Sequence, residues 1–353
     1  MRKKKKNNNK LGLFLVSVDI FAVICFFVVY GPFSFFRDWY VTTAMTTMTH
    51  RYLAYIFYNQ DMIDEVLNNN RIIESTDPTD TSKISFNPDF NSDSYESVYE
   101  EQILKKDEGN DDYKILEIEG DKWHGYMAVI YDPSRIELVF TKNYGKSRGN
   151  FISKLGKENN ALVAMTGSGV KHKNGVNYVT GTTIKDGKVF AVGKDINKGG
   201  GLIGFTKDNV LMLTKKSAKE AIADGMDRAV EFGPFLIVNG KSATFSGNGG
   251  GGKHPRTAIA QRQDGIVLFV VIEGRTSKSS GMTFPQLTEL LEKYKAYNAA
   301  NLDGGGSSSL YAIVNGKGKL LNEPGGYGYE GERYMPNAWM LLPEVAATDD
   351  SSN

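Results

Sequence analysis

The stretch GIVLFVVIEGR constrains this chain most. Ile266 through Ile272 are apolar without a break, which fits a strand buried on both faces better than one with a wet side. The period then changes in GMTFPQLTELLEKYKAYNAA. Leu287, Leu290, Leu291 and Tyr294 fall on one helical face, Thr283 can cap, and Pro285 suits a first turn. Residues 299–303 read as another short strand. Strand, helix and strand in that order predict two parallel strands side by side, joined by a right-handed crossover.

Glu273 and Asp303 each fall just past the C-terminal end of one of these strands, where such sheets bind ligands. If the two strands are neighbours, their backbones lie about 4.8 Å apart. That is within range of the roughly 5–5.5 Å carboxylate pair of retaining glycosidases. One intervening strand would double the distance. Behind Asp303 come Gly304, Gly305 and Gly306, then Ser307, Ser308 and Ser309. Glycines without Cβ atoms can turn the chain and present successive N–H groups to an anion, and the serines add hydroxyls. A flexible turn into a hairpin strand at 310–314, closed by Asn315-Gly316, would account for the same residues.

Two arginines favour the anion. Arg256 lies in HPRTA before the buried strand, and Arg275 lies after it. Their forks suit phosphate or carboxylate oxygens. With a straight strand between them they would flank opposite ends, so Arg256 reaches the site only if its loop folds back. His254 sits in that loop. A metal is not expected. A divalent ion such as calcium, held by Asp303 and serine oxygens, is the alternative the ligand set allows.

Short strands are expected at 114–119, 125–131, 136–141, 161–165 and 188–193, with hairpin turns at Asp186-Gly187 and Asn239-Gly240. Ser217 and Glu220 form a capping-box pattern that predicts a helix over about 218–230. The fold class expected is α+β: one mixed-sheet domain over 113–344, containing the strand–helix–strand unit near 266–303.

An N-terminal transmembrane helix precedes it. MRKKKKNNNK leads into an apolar run from Leu11 that continues to Phe36. About twenty residues span roughly 30 Å as a helix, enough to cross a bilayer. The run is long for a cleaved secretory signal. Six basic and no acidic residues in 1–10 predict a cytoplasmic N-terminus and an extracellular C-terminal domain. Asp19 is an expensive residue inside such an anchor. The single cysteine, Cys25, excludes an internal disulfide framework and reads as a small hydrophobe. Residues 37–70 are expected to be a juxtamembrane helix. Residues 71–112, with twelve acidic and four basic groups, are expected to be a solvated acidic linker, and 345–353 a tail. Overall charge is +1. No basic stripe with interleaved aromatics is present, so nucleic acid is not an expected partner.

FGPFLIVNGK, HPRTAIAQRQDGIVLFVVIEGR, GMTFPQLTELLEKY and NLDGGGSSSLYAIVNGK, in this order, resemble the phosphodiester glycosidase family over about 161–342. Bacterial members of that family are often linked to exopolysaccharide biosynthesis. The stretch FRDWYVTTAMTTMTHRYLA is similar to the juxtamembrane part of membrane-anchored members from Gram-positive bacteria. The resemblance implies hydrolysis of a sugar-1-phosphate diester in a surface glycan. It implies a site core at Asp303 with Gly304 to Ser308, phosphate contacts from Arg256 and Arg275, and an acidic role for Glu273. In such a diester the leaving group is a phosphate monoester, so charge stabilisation matters more than protonation. Asp303 would serve the anomeric carbon as nucleophile or as base for water, with Glu273 assisting, or the two exchanged. One departure stands out. The family's usual Asn-Gly-Gly-aromatic stretch reads Thr166-Gly167-Ser168-Gly169-Val170 here. A glycan-binding module without hydrolysis and a glycan transferase remain the competing readings.

Overall fold

In a computed structural model, which describes residues 5–47, 50–90, 94–193, 199–325 and 331–344, the apolar run forms the strand Val267–Ile272, buried at every residue. It belongs to a seven-stranded sheet. The order is Lys241–Ser242, Phe235–Val238, Ala296–Leu302, Arg256–Arg262, Val267–Ile272, Trp123–Ile130 and Tyr113–Gly120, and every neighbouring pair is antiparallel.

This corrects the expected parallel pair. The 267–272 and 296–302 strands do run in the same direction, but the strand Arg256–Arg262 lies between them and pairs with both. RTAIAQR forms a hairpin with the apolar run, closed at Asp264-Gly265, where Gly265 takes a φ of +89°. A two-strand hairpin closes a far shorter loop than a crossover through a helix, so local pairing takes the neighbouring position.

The crossover helix forms as expected over Phe284–Lys293. Thr283 and Gln286 make a reciprocal capping box, and Leu287, Leu290 and Leu291 are buried. One five-stranded sheet has the order Lys317–Leu320, Leu310–Val314, Val163–Thr166, Asn337–Leu341 and Ile136–Phe140. Another has the order Leu211–Thr214, Leu202–Thr206, Met226–Glu231, Thr183–Lys185 and Lys188–Ala191. All three sheets contribute to one core, in which Phe269, Trp339 and Phe205 are fully buried. The Phe205 and Trp339 rings meet edge-on at 5.7 Å.

Two further expectations are corrected. The helix started by Ser217 ends at Ala223. Gly225, at φ +99°, turns the chain into the strand Met226–Glu231, which pairs with Leu202–Thr206. Residues 71–112 are not a free linker. Thr79 Oγ1 donates to Leu213 O at 3.0 Å and Ser85 N to Gln263 O at 2.8 Å. Ile103 and Leu104 in the short helix Val98–Leu104 are buried. A few apolar residues at the right places do the packing despite the acidic composition, and the larger compact unit begins at Glu74 rather than at 113.

A second compact unit comprises the residues up to Ile73 together with Phe245–Gly252. Its apolar helix, Lys5–Tyr30, stops short of the expected Phe36, because Gly31-Pro32 breaks it. The expected juxtamembrane helix is three: Ser34–Met45, Ala54–Phe57 and Gln60–Asn69. Asn59 caps the last by accepting from Met62 N. Val41, Ala54, Tyr58, Ile63 and Val66 form a small core of their own. The 245–252 loop is bound here: Asn248 N donates to Asn70 Oδ1 at 2.8 Å, and Asn248 Nδ2 to Thr42 Oγ1 at 2.9 Å. The expected 345–353 tail lies outside the described residues, as do residues 1–4.

Candidate functional site

The hairpin decides which side chains meet. Because the 256–262 strand is antiparallel to both neighbours, its first residue lies level with their last. Arg256 pairs with Ile272, and Thr257 with Leu302. Arg256 therefore stands at the same sheet end as Glu273 and Asp303, and no loop has to fold back. Glu273 and Asp303 are two strands apart, so their backbones are separated by about 9.6 Å, twice the strand spacing. The close carboxylate pair expected for adjacent strands is corrected to this wider arrangement.

Asp303 is 9% exposed. Ser307 and the Gly304 N–H donate to its carboxylate. Its Oδ2 is buried and has no partner among the described residues. Burial pushes its pKa up to about 6, against the lowering effects of the Ser307 hydrogen bond, the Arg333 charge and the Gly304 N–H. Arg333 Nη1 also donates to Ser307 Oγ at 2.9 Å. Arg333 lies in GERYMPN, a stretch with no motif around it, and sequence reasoning missed it.

The glycines after Asp303 serve close approach. Gly305 N donates to Pro255 O at 2.9 Å. A Cβ on Gly304 would stand 2.8 Å from that same oxygen, and Gly305 takes a φ of +60°. Gly306 and Ser307 are buried in the short turn that follows. Thr257 Oγ1 donates to Ser308 Oγ at 3.2 Å. Arg275 is exposed and holds a φ of +63°, unusual for a bulky residue. Its Nη2 lies 3.7 Å from the position a Cβ on Gly305 would occupy, so the guanidinium reaches over the glycine loop.

Arg256 is different. It is 7% exposed, its guanidinium stacks on Phe284 at 3.7 Å, and Nε donates to Met282 O at 2.9 Å. Burial draws its pKa down to about 9. His254 makes a backbone bridge with Met282. Burial, then the charges of Arg256 and Arg275, lower its pKa to about 4, so it is neutral at pH 7. Glu273 is committed on both oxygens: Oε2 meets His124 Nδ1 at 2.9 Å, and Oε1 accepts the Glu323 N–H at 2.7 Å.

Thr166 is buried and faces the serine turn rather than open space. Its Oγ1 donates to Ser307 O and accepts from Ser309 N at 3.2 Å. A Cβ on Gly167 would meet Asn337 Oδ1 at 2.4 Å, and that oxygen accepts from both N and Oγ of Ser168 at 2.9 Å. Thr166 thus clamps the 307–309 turn, while Gly167 and Ser168 pack on Asn337. Among the described residues, no three His, Cys, Asp or Glu side chains gather as a metal ligand set. Chemically, the arrangement offers one raised-pKa carboxylate, with an oxygen that has no partner among the described residues, near two guanidinium groups. That suits an anionic ligand with an electrophilic centre next to the anion.

A sequence model of phosphodiester glycosidases matches residues 159–342. An uncharacterized protein derived from the SPbeta prophage of Bacillus subtilis is 30% identical over 189 residues, or 51% of this chain. The chain spans only 28% of the length of that curated relative. Among solved structures, the catalytic domain of zebrafish N-acetylglucosamine-1-phosphodiester alpha-N-acetylglucosaminidase, auto-inhibited by its pro-peptide, aligns with a TM-score of 0.51 at 20% identity, covering 66% of this chain and 83% of that one. A putative exported protein from Burkholderia pseudomallei aligns at 0.47 and 18% identity, covering 63% and 74%.

Proposed function

The chain belongs to the phosphodiester glycosidase family, and from that premise we propose that it hydrolyses a sugar-1-phosphate diester of a surface glycan or exopolysaccharide at the outer face of a membrane. The observation that carries the reading is the Asp303 carboxylate, buried, raised to about 6 and free at Oδ2. At neutral pH it is ionised, and it is a stronger base than an ordinary carboxylate.

The step follows from these groups. Asp303 Oδ2 takes a proton from water as the water oxygen bonds to the anomeric carbon. The bond from that carbon to the phosphate oxygen breaks, and its electron pair leaves with the phosphate monoester. Arg333 and Arg275 stabilise the developing charge. Glu273, held on both oxygens, takes no proton in this step. Direct attack by water from the face opposite the leaving group predicts inversion at the anomeric carbon.

The anchor supports the location. The apolar part of the helix, Lys10–Tyr30, is long enough to cross a bilayer and is unburied. Its end is built into the helical unit: Tyr58 Oη donates to Val29 O at 2.9 Å, and Val29 packs on the core there. A removable signal has no need of such contacts. With the basic tail inside, the folded domain lies outside.

The test is the full chain in detergent, and its Asp303→Asn variant, on a panel of sugar-1-phosphate diesters that includes N-acetylglucosamine. Released reducing sugar is the readout. Turnover by the parent, with a loss of roughly a thousandfold or more in the variant, is expected. No turnover with saturable glycan binding would replace hydrolysis by a binding module. Turnover only with a glycan acceptor would replace it by a transferase.

A further inference from the structure

The three side chains Glu117, His124 and Glu273 form a line from solvent to the edge of the site. Glu117 is 65% exposed and Glu273 6%. His124 Nε2 meets Glu117 Oε1 at 2.7 Å and Nδ1 meets Glu273 Oε2 at 2.9 Å. Both ring nitrogens therefore face a carboxylate. Only the imidazolium can donate to both, since a neutral ring would turn a lone pair toward one of them. Tyr126 stands edge-on to the ring at 5.1 Å. Burial pulls the His124 pKa down, but the hydrogen bonds and charges of Glu117 and Glu273 together outweigh it and leave it raised.

The line ends on a loop that matters. Glu273 N donates to His124 O at 2.9 Å. His124 N donates to Ser279 Oγ at 3.2 Å, and Ser279 Oγ to Glu273 O at 2.6 Å. Ser280 N and Oγ both donate to Lys122 O at 2.9 Å. The 274–281 loop, which carries Arg275, thus hangs from the 113–130 hairpin. Glu273 Oε1 also holds the Glu323 N–H at 2.7 Å. That hairpin lies outside the residues matched to the family, 159–342.

We propose that His124 is a positioning residue for the Arg275 guanidinium, acting through Glu273 and the 274–281 loop, so that the N-terminal hairpin completes the phosphate-binding side of the site. This rests on the reading of Arg275 as a phosphate ligand. Arg275 is exposed and sits at a strained φ. A long side chain in that state gains affinity only if its loop is fixed before the anion arrives.

The experiment is calorimetric titration of the full chain in detergent with inorganic phosphate. The proteins are the parent, His124→Gln, Glu117→Gln, Arg275→Asn and the double variant His124→Gln/Arg275→Asn, each checked by thermal unfolding. Asparagine tolerates the left-handed φ at 275. His124→Gln should weaken phosphate about tenfold and Glu117→Gln about two- to threefold. His124→Gln should cost little more once Arg275 is gone, since coupled residues are non-additive. Equal losses in both backgrounds, or no loss in a folded His124→Gln, would overturn the positioning role. If His124→Gln does not fold, Glu117→Gln decides, because its side chain is mostly in water. A parent that binds no phosphate would remove the phosphate reading itself, a different result from a parent that binds while the variants match it.

Discussion

Arg333 Nη1 donates to Ser307 Oγ at 2.9 Å, and Ser307 in turn holds the Asp303 carboxylate. The arginine thus reaches the Asp303 carboxylate through one hydroxyl, while its charge opposes the effect of burial on Asp303. Replacing it with methionine removes that charge. The acid limb of kcat/KM, expected near pH 6 from Asp303, should then move up by about 0.5–1 unit. Arg333→Lys should leave the limb in place and raise KM, because charge survives but the fork does not. A pH–rate profile of both variants checks this. An unmoved limb in Arg333→Met would detach Arg333 from Asp303.

Asp303 should cost stability at the pH where it works. Its folded pKa of about 6 lies above the unfolded value, so between the two the folded state holds the extra proton. The contribution is favourable below the unfolded pKa and is lost as pH rises through about 6. Two units correspond to about 3 kcal/mol at most. Asp303→Asn should therefore unfold at higher temperature than the parent at pH 8 and match it near pH 4, while losing turnover. A variant less stable at pH 8 would contradict the buried, unpaired oxygen.

Much of this was legible in the sequence, for physical reasons. The unbroken apolar run, the Thr283 cap and the Asn-Gly turns are local signals, and each appears where its chemistry requires. Glu273, Asp303 and the glycine triplet were located because strand ends and turns are local too. Adjacency was not legible. Strand order depends on which pairing closes first, and Asp264-Gly265 was the overlooked turn that set it. With that turn counted, Arg256 falls at the correct end. Arg333, His124 and Glu117 had no local signature, since their roles come from contacts across long sequence separations. The packing of the expected 71–112 linker is not legible because charge dominates its composition while a few residues such as Ile103 are buried.

Thr166 gives a prediction about the departure from the family pattern. Its hydroxyl donates to Ser307 O and accepts from Ser309 N. Thr166→Val keeps the shape and leaves that buried N–H without its hydroxyl acceptor. The cost should be about 1–3 kcal/mol, read as a fall in melting temperature of roughly 2–4 °C per kcal/mol. Because Ser307 in the same turn donates to the Asp303 carboxylate, kcat should fall as well. Thr166→Ser should restore most of both. If Thr166→Val melts with the parent, the clamp contributes nothing.

The two arginines flagged for phosphate should separate by measurement. Arg256 is buried against Phe284 with Nε on Met282 O. Lysine there loses the stack and the planar donor, and places a compact, strongly hydrated ammonium in a dry site. Arg256→Lys should lower stability by about 2–4 kcal/mol, on the scale of a broken buried network, and should weaken phosphate as a consequence. Arg275 is exposed at a left-handed φ, a conformation asparagine accepts. Arg275→Asn should melt within about 0.5 kcal/mol of the parent, as surface changes do, yet lose about ten- to a hundredfold in phosphate affinity, the range for one charge-assisted contact. Thermal unfolding and phosphate titration on the same samples decide it. If Arg275→Asn keeps its affinity while Arg256→Lys loses affinity without losing stability, the buried arginine is the phosphate ligand and the exposed one is not.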